Sequence, residues 1–577
     1  MRRRPPKAGI SMGKDKVALG IDYGTESGRV VVVRVRDGEQ IASAIVPYAD
    51  GVIDERLPKG PRLEPDWALQ NPRDYLLVVE KGVPKALKAA RVKGENVIGI
   101  GTDFTASSPM PTKRDGTPLC YLPQYRKHPH AWVKLWKHHA AQAEANRINE
   151  IGRARNEEFI RIYGGKYSSE WFFSKLLQVL DEAPEIYEAM DRFIEAADWI
   201  VWQLTGVEKR NTCTAGYKAM WVKSRGFPTR EFFRALHPRM ENVVEEKLTE
   251  DYFPLGGRAG GLAPAWARKT SLPEGTPVSI GNVDAHVAVP ACGVTEAGSL
   301  VMIMGTSICH MLLGTNRQMV EGMCGTVEDG IVPGLWGYEA GQSAVGDIFA
   351  WFFEHGVPEY IWKGARPSAG GRDVTAELEK HAAALRPGES GLVALDWWNG
   401  NRSVLVDVDL TGVILGMTLA TRAEEIYRAL IEATAFGTRT IVEAFESKGI
   451  PVKNLVACGG LPEKNRLLMQ IFADVTGREI RLAKNLQTCS ALGAAMHGAV
   501  AAGRAAGGYD TIFEATEKMA HTQKLVYKPR QGHREIYDRL FKEYQTLHDY
   551  FGRGANDVMK RLKELKKSCQ SSVVSRQ

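Results

Sequence analysis

Asp22 ends the apolar run at residues 17–21, and Gly24, Thr25, Glu26, Ser27, Gly28 and Arg29 follow before a second apolar run begins. Exposed backbone N–H groups, two hydroxyls and a guanidinium are the parts of a phosphate cradle. An acid at its mouth can hold a hydrated Mg²⁺. The spacing is neither G-x-x-x-x-G-K-[ST] nor the G-x-G-x-x-G that opens a helix. Phosphate would therefore sit on a turn between two strands; a turn that only reverses the chain is the alternative. A second such turn, Gly305, Thr306 and Ser307, lies in "GSLVMIMGTSICHMLLG".

Asp284, in "SIGNVDAHVAVPACG", ends a short apolar strand just ahead of that second turn. It reads either as the cap of the helix that follows or as a general base. Phosphoryl transfer to an alcohol needs a carboxylate to take the hydroxyl proton while Mg²⁺ and N–H donors hold the phosphates. His286 reads as structural rather than as a ligand. In "AWVKLWKHHAAQAEA", Trp136 is either core or a platform for the C–H face of a sugar. His138 and His139 point about 100° apart on a helix, which makes a poor zinc pair. Lys218 in "CTAGYKAMW" and Glu339 in "GYEAGQSAVGDIFAWF" each read, alone, as an ion-pair partner or a ligand.

Two strand-turn-strand units about 280 residues apart predict a duplicated fold. Each half also carries a buried strand. "NVIGIGTDFTASS" ends its strand in an acid. "KNLVACGGLPEKNRLLMQIFADVTG" ends its strand at Gly459 and Gly460 and continues as a helix with Leu467, Leu468, Ile471, Phe472 and Val475 on its apolar face. A helix opening after a Gly-Gly turn presents unpaired N–H groups to a nucleotide. A further helix is expected from Thr421, with Glu424 completing a capping box, to Gly449. Its Gly437 costs about 1 kcal/mol against Ala unless something passes close by. From about residue 505 the chain reads as polar and helical, packed outside the second domain.

The predicted fold is thus α/β: two actin-like, ribonuclease H-like domains with a cleft between them. The expected divisions are a disordered extension at 1–15, a first domain at 16–290, a second domain with an outer helical segment at 291–560, and a tail at 561–577. A chain of 577 residues exceeds one ordinary core. The apolar fraction of 44% and charged fraction of 25% are those of a soluble protein. The net charge of +7 lies partly at the ends, which argues against nucleic-acid binding. Eight cysteines without C-x-x-C or metal spacing point to a reduced, cytoplasmic protein without structural zinc. Neither a signal-peptide h-region nor an apolar run of membrane-spanning length is visible.

Taken together, "GIDYGTESGR", "GNVDAH", "MGTS", "ACGGLPEKN" and "ALGAA" resemble the first phosphate hairpin, base segment, second hairpin and adenosine region of the FGGY family of carbohydrate kinases. The resemblance covers residues 16–560 and implies that the domain at 16–290 binds sugar and the domain at 291–560 binds nucleotide. "VKLWKHHAAQ", "GGKYSSEWFFSK", "CTAGYKAMW" and "YEAGQSAVGDIFAWF" look like the bacterial members that phosphorylate L-ribulose at its 5-hydroxyl in L-arabinose breakdown. The resemblance implies Asp284 as the base, with Ala106, Trp136, Lys218 and Glu339 around the ketopentose. It implies Asp22 holding Mg²⁺ through water. Gly24, Thr25, Glu26, Ser27, Arg29, Gly305, Thr306, Ser307, Gly346, Gly459, Gly460, Lys464 and Asn465 would lie near ATP. A homodimer is the family-level expectation for assembly. Two departures stand out: Glu26 replaces a small hydroxyl residue, and "LDWWNGNRS" carries Ser403 and Val404 where relatives continue a G-x-R-x-P motif. Kinases of D-ribulose, D-xylulose or a pentitol remain alternatives, as, more remotely, does an actin- or chaperone-like ATPase.

Overall fold

The computed structural model describes residues 15–249, 251–365, 367–368 and 371–574. Residues 1–14 of the expected extension, and 575–577 of the expected tail, lie outside the described residues. The first sheet contains β1 (Val17–Tyr23), β2 (Ser27–Arg34), β3 (Gln40–Pro47), β4 (Val97–Phe104), β5 (Arg258–Gly261), β6 (Pro277–Ser279) and β7 (Asn282–Val283). Their order is β5-β6-β4-β1-β2-β3, with β7 beside β4. Helices α1 (Phe172–Glu182) and α2 (Thr212–Lys218) precede the strand β7, and α3 (Asp284–Ala291) leads away from it. The second sheet contains β8 (Ser299–Met304), β9 (Ile308–Gly314), β10 (Gly325–Glu328), β11 (Trp336–Gln342), β12 (Asn454–Cys458), β13 (Ile480–Ala483) and β14 (Thr522–Tyr527), in the order β10-β11-β9-β8-β12-β13-β14. Helices α4 (Gly346–His355), α5 (Ala423–Ser447), α6 (Arg466–Thr476), α7 (Cys489–Ala502), α8 (Ile512–Met519), α9 (Gln531–Gly552) and α10 (Val558–Val574) complete this half.

The two sheets repeat one pattern. β1 pairs antiparallel with β2, β2 with β3, and β1 runs parallel to β4. Likewise β8 pairs antiparallel with β9, β9 with β11, and β8 runs parallel to β12. Both central strands are covered on two faces, so they read as unbroken apolar runs rather than as alternations. The expected duplicated α/β fold is therefore present.

The lobes meet through helix on glycine. Gly20 of β1 and Gly101 of β4 are register partners. A Cβ on Gly20 would lie 1.7 Å from the Ala491 carbonyl oxygen, and one on Gly101 1.8 Å from that of Ala494. The backbone of α7 thus rests directly on the first sheet. On the other side of α7, a Cβ at Gly493 would lie 2.0 Å from the Val287 carbonyl of α3. The "ALGAA" segment is accordingly part of the lobe junction.

Several local expectations shift. α5 starts at Ala423, and Glu425 accepts from the Arg422 N–H at 2.7 Å, one residue later than the expected box. The Thr421 hydroxyl is already taken, accepting from Thr418 N–H. Gly437 does mark a close crossing, since a Cβ there would sit 2.5 Å from Gln342 Nε2. The helix after Gly459 spans only Gly460–Lys464 before Asn465 caps α6. Beyond residue 505, α8 buries Ile512 and Met519 in a layer shared with Val31 and Val33 of the first sheet, and β14 closes an edge of the second. α9, through Tyr537, Phe541 and Tyr544, and α10, through Met559, pack on the second core as expected. The expected tail is helical to Val574 because α10 anchors through buried Met559. The cysteines, dispersed in sequence, do not stay apart: Cys292, Cys458 and Cys489 converge in the interior.

Gly101→Ala should force α7 off the sheet, because the obstructing atoms are backbone. Overpacking of this kind costs about 3 kcal/mol, to be read as a lower urea midpoint with little change in slope.

Candidate active site

The parallel register of β1, β4 and β7 places Asp22 beside Asp103, and Asp103 beside Asn282. Asp284 follows as the first residue of α3, its Oδ1 accepting from Ala285 N–H at 2.7 Å. Three acids therefore gather at one end of the first sheet. Burial, then the charges of Asp22 and Asp284, push the Asp103 carboxyl well above its ordinary range. Burial also raises Asp22, against the opposing pull of Asp103 and Arg29. Asp284 is pushed up to about 7, first by burial and then by the negative charges of Asp22 and Glu339, which outweigh its contact with Ala285 N–H and the field of Lys218.

Both Asp103 oxygens and the Asn282 amide nitrogen are buried without hydrogen-bond partners. Such oxygen donors beside Asp22 suit a hard divalent cation. Among the described residues these acids do not converge closely enough to enclose one bare ion, so an ion held here would keep water between itself and some of them. Asp103 was not anticipated as a site residue; its signal was an acid closing the apolar strand that pairs with β1.

Glu339 binds Lys218 at 2.8 and 2.9 Å and Arg402 at 2.7 Å, and His286 Nε2 lies 3.5 Å from it. Lys218 is on α2 of the first lobe and Glu339 on β11 of the second, so this pair bridges the two. Burial opposes ionisation of Glu339, but Lys218, His286 and Arg402 together hold its carboxyl well below the usual range. His286, read as merely structural, instead joins this cluster with its ring on Tyr217 at 4.2 Å. Arg402 is a further site residue that its sequence context does not single out: the departure in that motif lies at Ser403 and Val404, whereas the preceding arginine reaches Glu339. Ser403 Oγ accepts from Gly341 N–H at 3.2 Å and ties the same loop to β11.

On the other side of the acids, Trp136 Nε1 donates to Thr25 Oγ1 at 3.1 Å. Buried Lys175 donates to the carbonyls of Ser107 and Leu135, both at 2.8 Å, so one ammonium anchors the chain next to Ala106 and next to Trp136. His138 bonds Gln178 and is structural.

The two turns differ in what they offer. Gly24 N–H closes on Ser27 O and Gly305 N–H on Ser307 O, which leaves Thr25, Glu26, Thr306 and Ser307 at the open tips of their turns. No atom lies within 4 Å of a Cβ at Gly305 or Gly460, so the backbone there is open. Gly459, at φ 101°, lies under Met304, where a Cβ would approach its carbonyl to 2.2 Å. Gly346 packs on the second turn, its N–H donating to Gly305 O. Arg29 donates to Gln487 O at 2.6 Å and so spans the lobes. Lys464 is exposed, whereas the Asn465 side chain is buried, accepting from Leu468 N–H and donating to Tyr427.

Comparison with known proteins fits this layout. Residues 17–290 match the N-terminal domain, and residues 300–502 the C-terminal domain, of the FGGY family of carbohydrate kinases. The chain belongs to that family. It is 59% identical over 552 residues to a ribulokinase of Halalkalibacterium halodurans, covering 96% of this chain and 98% of that one. It is 58% identical to a ribulokinase of Geobacillus thermodenitrificans, covering 97% and 99%. Among solved structures, a xylulose kinase from Rhodospirillum rubrum superposes with a TM-score of 0.73 at 21% identity, covering 92% and 98%. A gluconate kinase from Lactobacillus acidophilus gives 0.76 at 17%, covering 94% and 99%. At those identities the two structures speak to the fold alone.

Removing one partner of a buried ion pair leaves the other uncompensated. Glu339→Gln strips both Lys218 and Arg402 of their carboxylate and should cost about 3 to 5 kcal/mol. Lys218→Met leaves Glu339 with Arg402 and should cost less than half of that. Urea denaturation of both variants measures the asymmetry.

Proposed function

We infer that this FGGY kinase transfers the γ-phosphoryl group of ATP to the 5-hydroxyl of L-ribulose, giving L-ribulose 5-phosphate and ADP. The observation that carries the mechanism is a carboxylate, Asp284, whose pKa is brought to about 7 beside a bridging Lys218–Glu339 pair. The substrate is supported by near full-length similarity to ribulokinases.

In this reading Asp284 accepts the proton of the sugar hydroxyl as the phosphoryl group is transferred. A base whose pKa lies near the working pH is both mostly ionised and still basic enough to take that proton. Lys218 and Glu339 orient the sugar hydroxyls, because an isomer that cannot satisfy them leaves buried charges unpaired. Trp136 and the segment at Ala106, both fixed by Lys175, form the opposite wall. The open backbone at Gly305 and Gly460 and the tip of the turn that follows Gly24 hold the phosphates, with Thr25, Ser27, Thr306 and Ser307 as further donors. Asp22 and Asp103 would hold Mg²⁺, which supplies charge neutralisation on the phosphates when bound. Approach of the two lobes excludes water that would otherwise accept the phosphoryl group.

Asp284→Asn should lower kcat by roughly 10²- to 10⁴-fold while leaving ATP binding, read by calorimetry, near normal. Near-normal turnover would sink the assignment. Because Asp284 must be ionised, kcat/KM for the sugar should fall about tenfold per pH unit once the pH drops below about 7. ADP release with L-ribulose, D-ribulose, D-xylulose, ribitol and glycerol, against a control without sugar, should show the largest kcat/KM for L-ribulose. A different preferred polyol would move the substrate, and release that no sugar accelerates would overturn the kinase reading.

A further inference from the structure

Cys292 follows the last turn of α3, Cys458 ends β12 directly before Gly459, and Cys489 is the first residue of α7. Their sulfurs all lie within 4.8 Å of one another, and the residues are 1%, 1% and 3% exposed. Among the described residues they form the sole group of three or more His, Cys, Asp or Glu donors within reach of one ion. The Cys292 and Cys489 sulfurs are 3.9 Å apart. Three thiolates around one metal at a bond length of about 2.3 Å would stand about 4.0 Å from each other in a trigonal plane. The Cys292–Cys489 spacing matches such a plane, the other two pairs lie within 4.8 Å, and among the described residues no histidine or carboxylate joins the group to make a tetrahedron.

We propose that Cys292, Cys458 and Cys489 bind one soft, thiophilic d¹⁰ cation in trigonal thiolate coordination at the junction of the two lobes, with Cu(I) as the favoured ion. Three sulfurs and no harder ligand select a soft cation. The N-terminus of α7, a helix of 14 residues, directs its positive end toward Cys489 and offsets part of the thiolate charge. Thiol protons leave for solvent on binding.

The site's position gives it a consequence. Cys292 lies eight residues after Asp284, along α3. Cys458 immediately precedes Gly459, packed under Met304, and the open Gly460, and Cys489 leads into the helix that rests on Gly20 and Gly101. One ion would staple the base-bearing helix, the nucleotide turn and the lobe junction together. Occupancy should therefore slow turnover by restraining lobe movement without occupying either substrate site.

The test is anaerobic titration of the full chain, in a Cys569→Ser background to remove the exposed thiol, with Cu(I) supplied as its acetonitrile complex. An ultraviolet thiolate-to-copper band should saturate at one equivalent and resist a bathocuproine chelator. It should be lost in Cys292→Ser and in Cys458→Ala, each checked for folding by circular dichroism. Native mass spectrometry of the full chain should find one copper retained per chain, a readout independent of activity and of whether any one variant folds well. A band that persists in both variants, binding that bathocuproine removes completely, or a native mass without bound copper would overturn the proposal. Retention of Zn²⁺ with none of Cu(I) would overturn the trigonal assignment.

Discussion

The seating of helix α7 on two glycines is the constraint from which the site follows. Gly20 and Gly101 are register partners, and so, two residues on, are Asp22 and Asp103. Residues two apart on a strand share a face. The face that accepts the α7 backbone therefore also carries both acids, just past the place where the helix lies. Any side chain at either glycine would lift the helix and change the angle at which the second lobe, with its turn at Gly305–Ser307, meets the first. Close packing of backbone on backbone makes this a stiff reference point. Lobe movement must turn about it, and about the contact of Gly493 with α3, rather than slide across it.

Around that reference point the protein places carboxylates in opposite electrostatic situations. Asp284, half-buried, and Asp103, fully buried, have other acids as neighbours, and their pKa values are driven up. Glu339 is as deeply buried but has Lys218, His286 and Arg402 against it, which drives its own down. Separation of this kind is how one pocket keeps one carboxylate permanently charged and another ready to take a proton. The residues that fix Glu339 come from both lobes and from the 402 loop, so its charge state depends on their being assembled.

The sequence made the strands, the duplication and Asp284 legible because those features are local: an acid at a strand end, a turn of small residues, an apolar run. It also signalled Gly437, where a helix breaker in mid-helix implied a close neighbour, and Gln342 is that neighbour. What escaped was whatever depends on two distant segments meeting. Arg402 acquires its meaning only from Glu339, 63 residues away, and His286 only from the same carboxylate. Asp103 was visible as an acid ending a strand, yet only the parallel pairing with β1 sets it beside Asp22. The α5 cap moved by one residue because Thr418 competed for the expected threonine, an interaction that propensity does not weigh.

Under the proposed function, a pocket assembled from both lobes couples recognition to closure. Lys218 reaches Glu339 across the junction, and Trp136, which belongs to the first lobe, is tied by its indole N–H to Thr25 on the turn between β1 and β2. A sugar that displaced part of the Lys218–Glu339 contact would have to replace those hydrogen bonds in full, since the charges are buried and water is scarce there. Only hydroxyls set at the matching angles can do that while the lobes stay together. Under the proposed function, stereochemical selection and the exclusion of water are then one event: the isomer that restores the pairing also keeps the lobes joined. An isomer that fails leaves the lobes apart, with Asp284 away from its proton and the phosphates open to solvent on the second lobe.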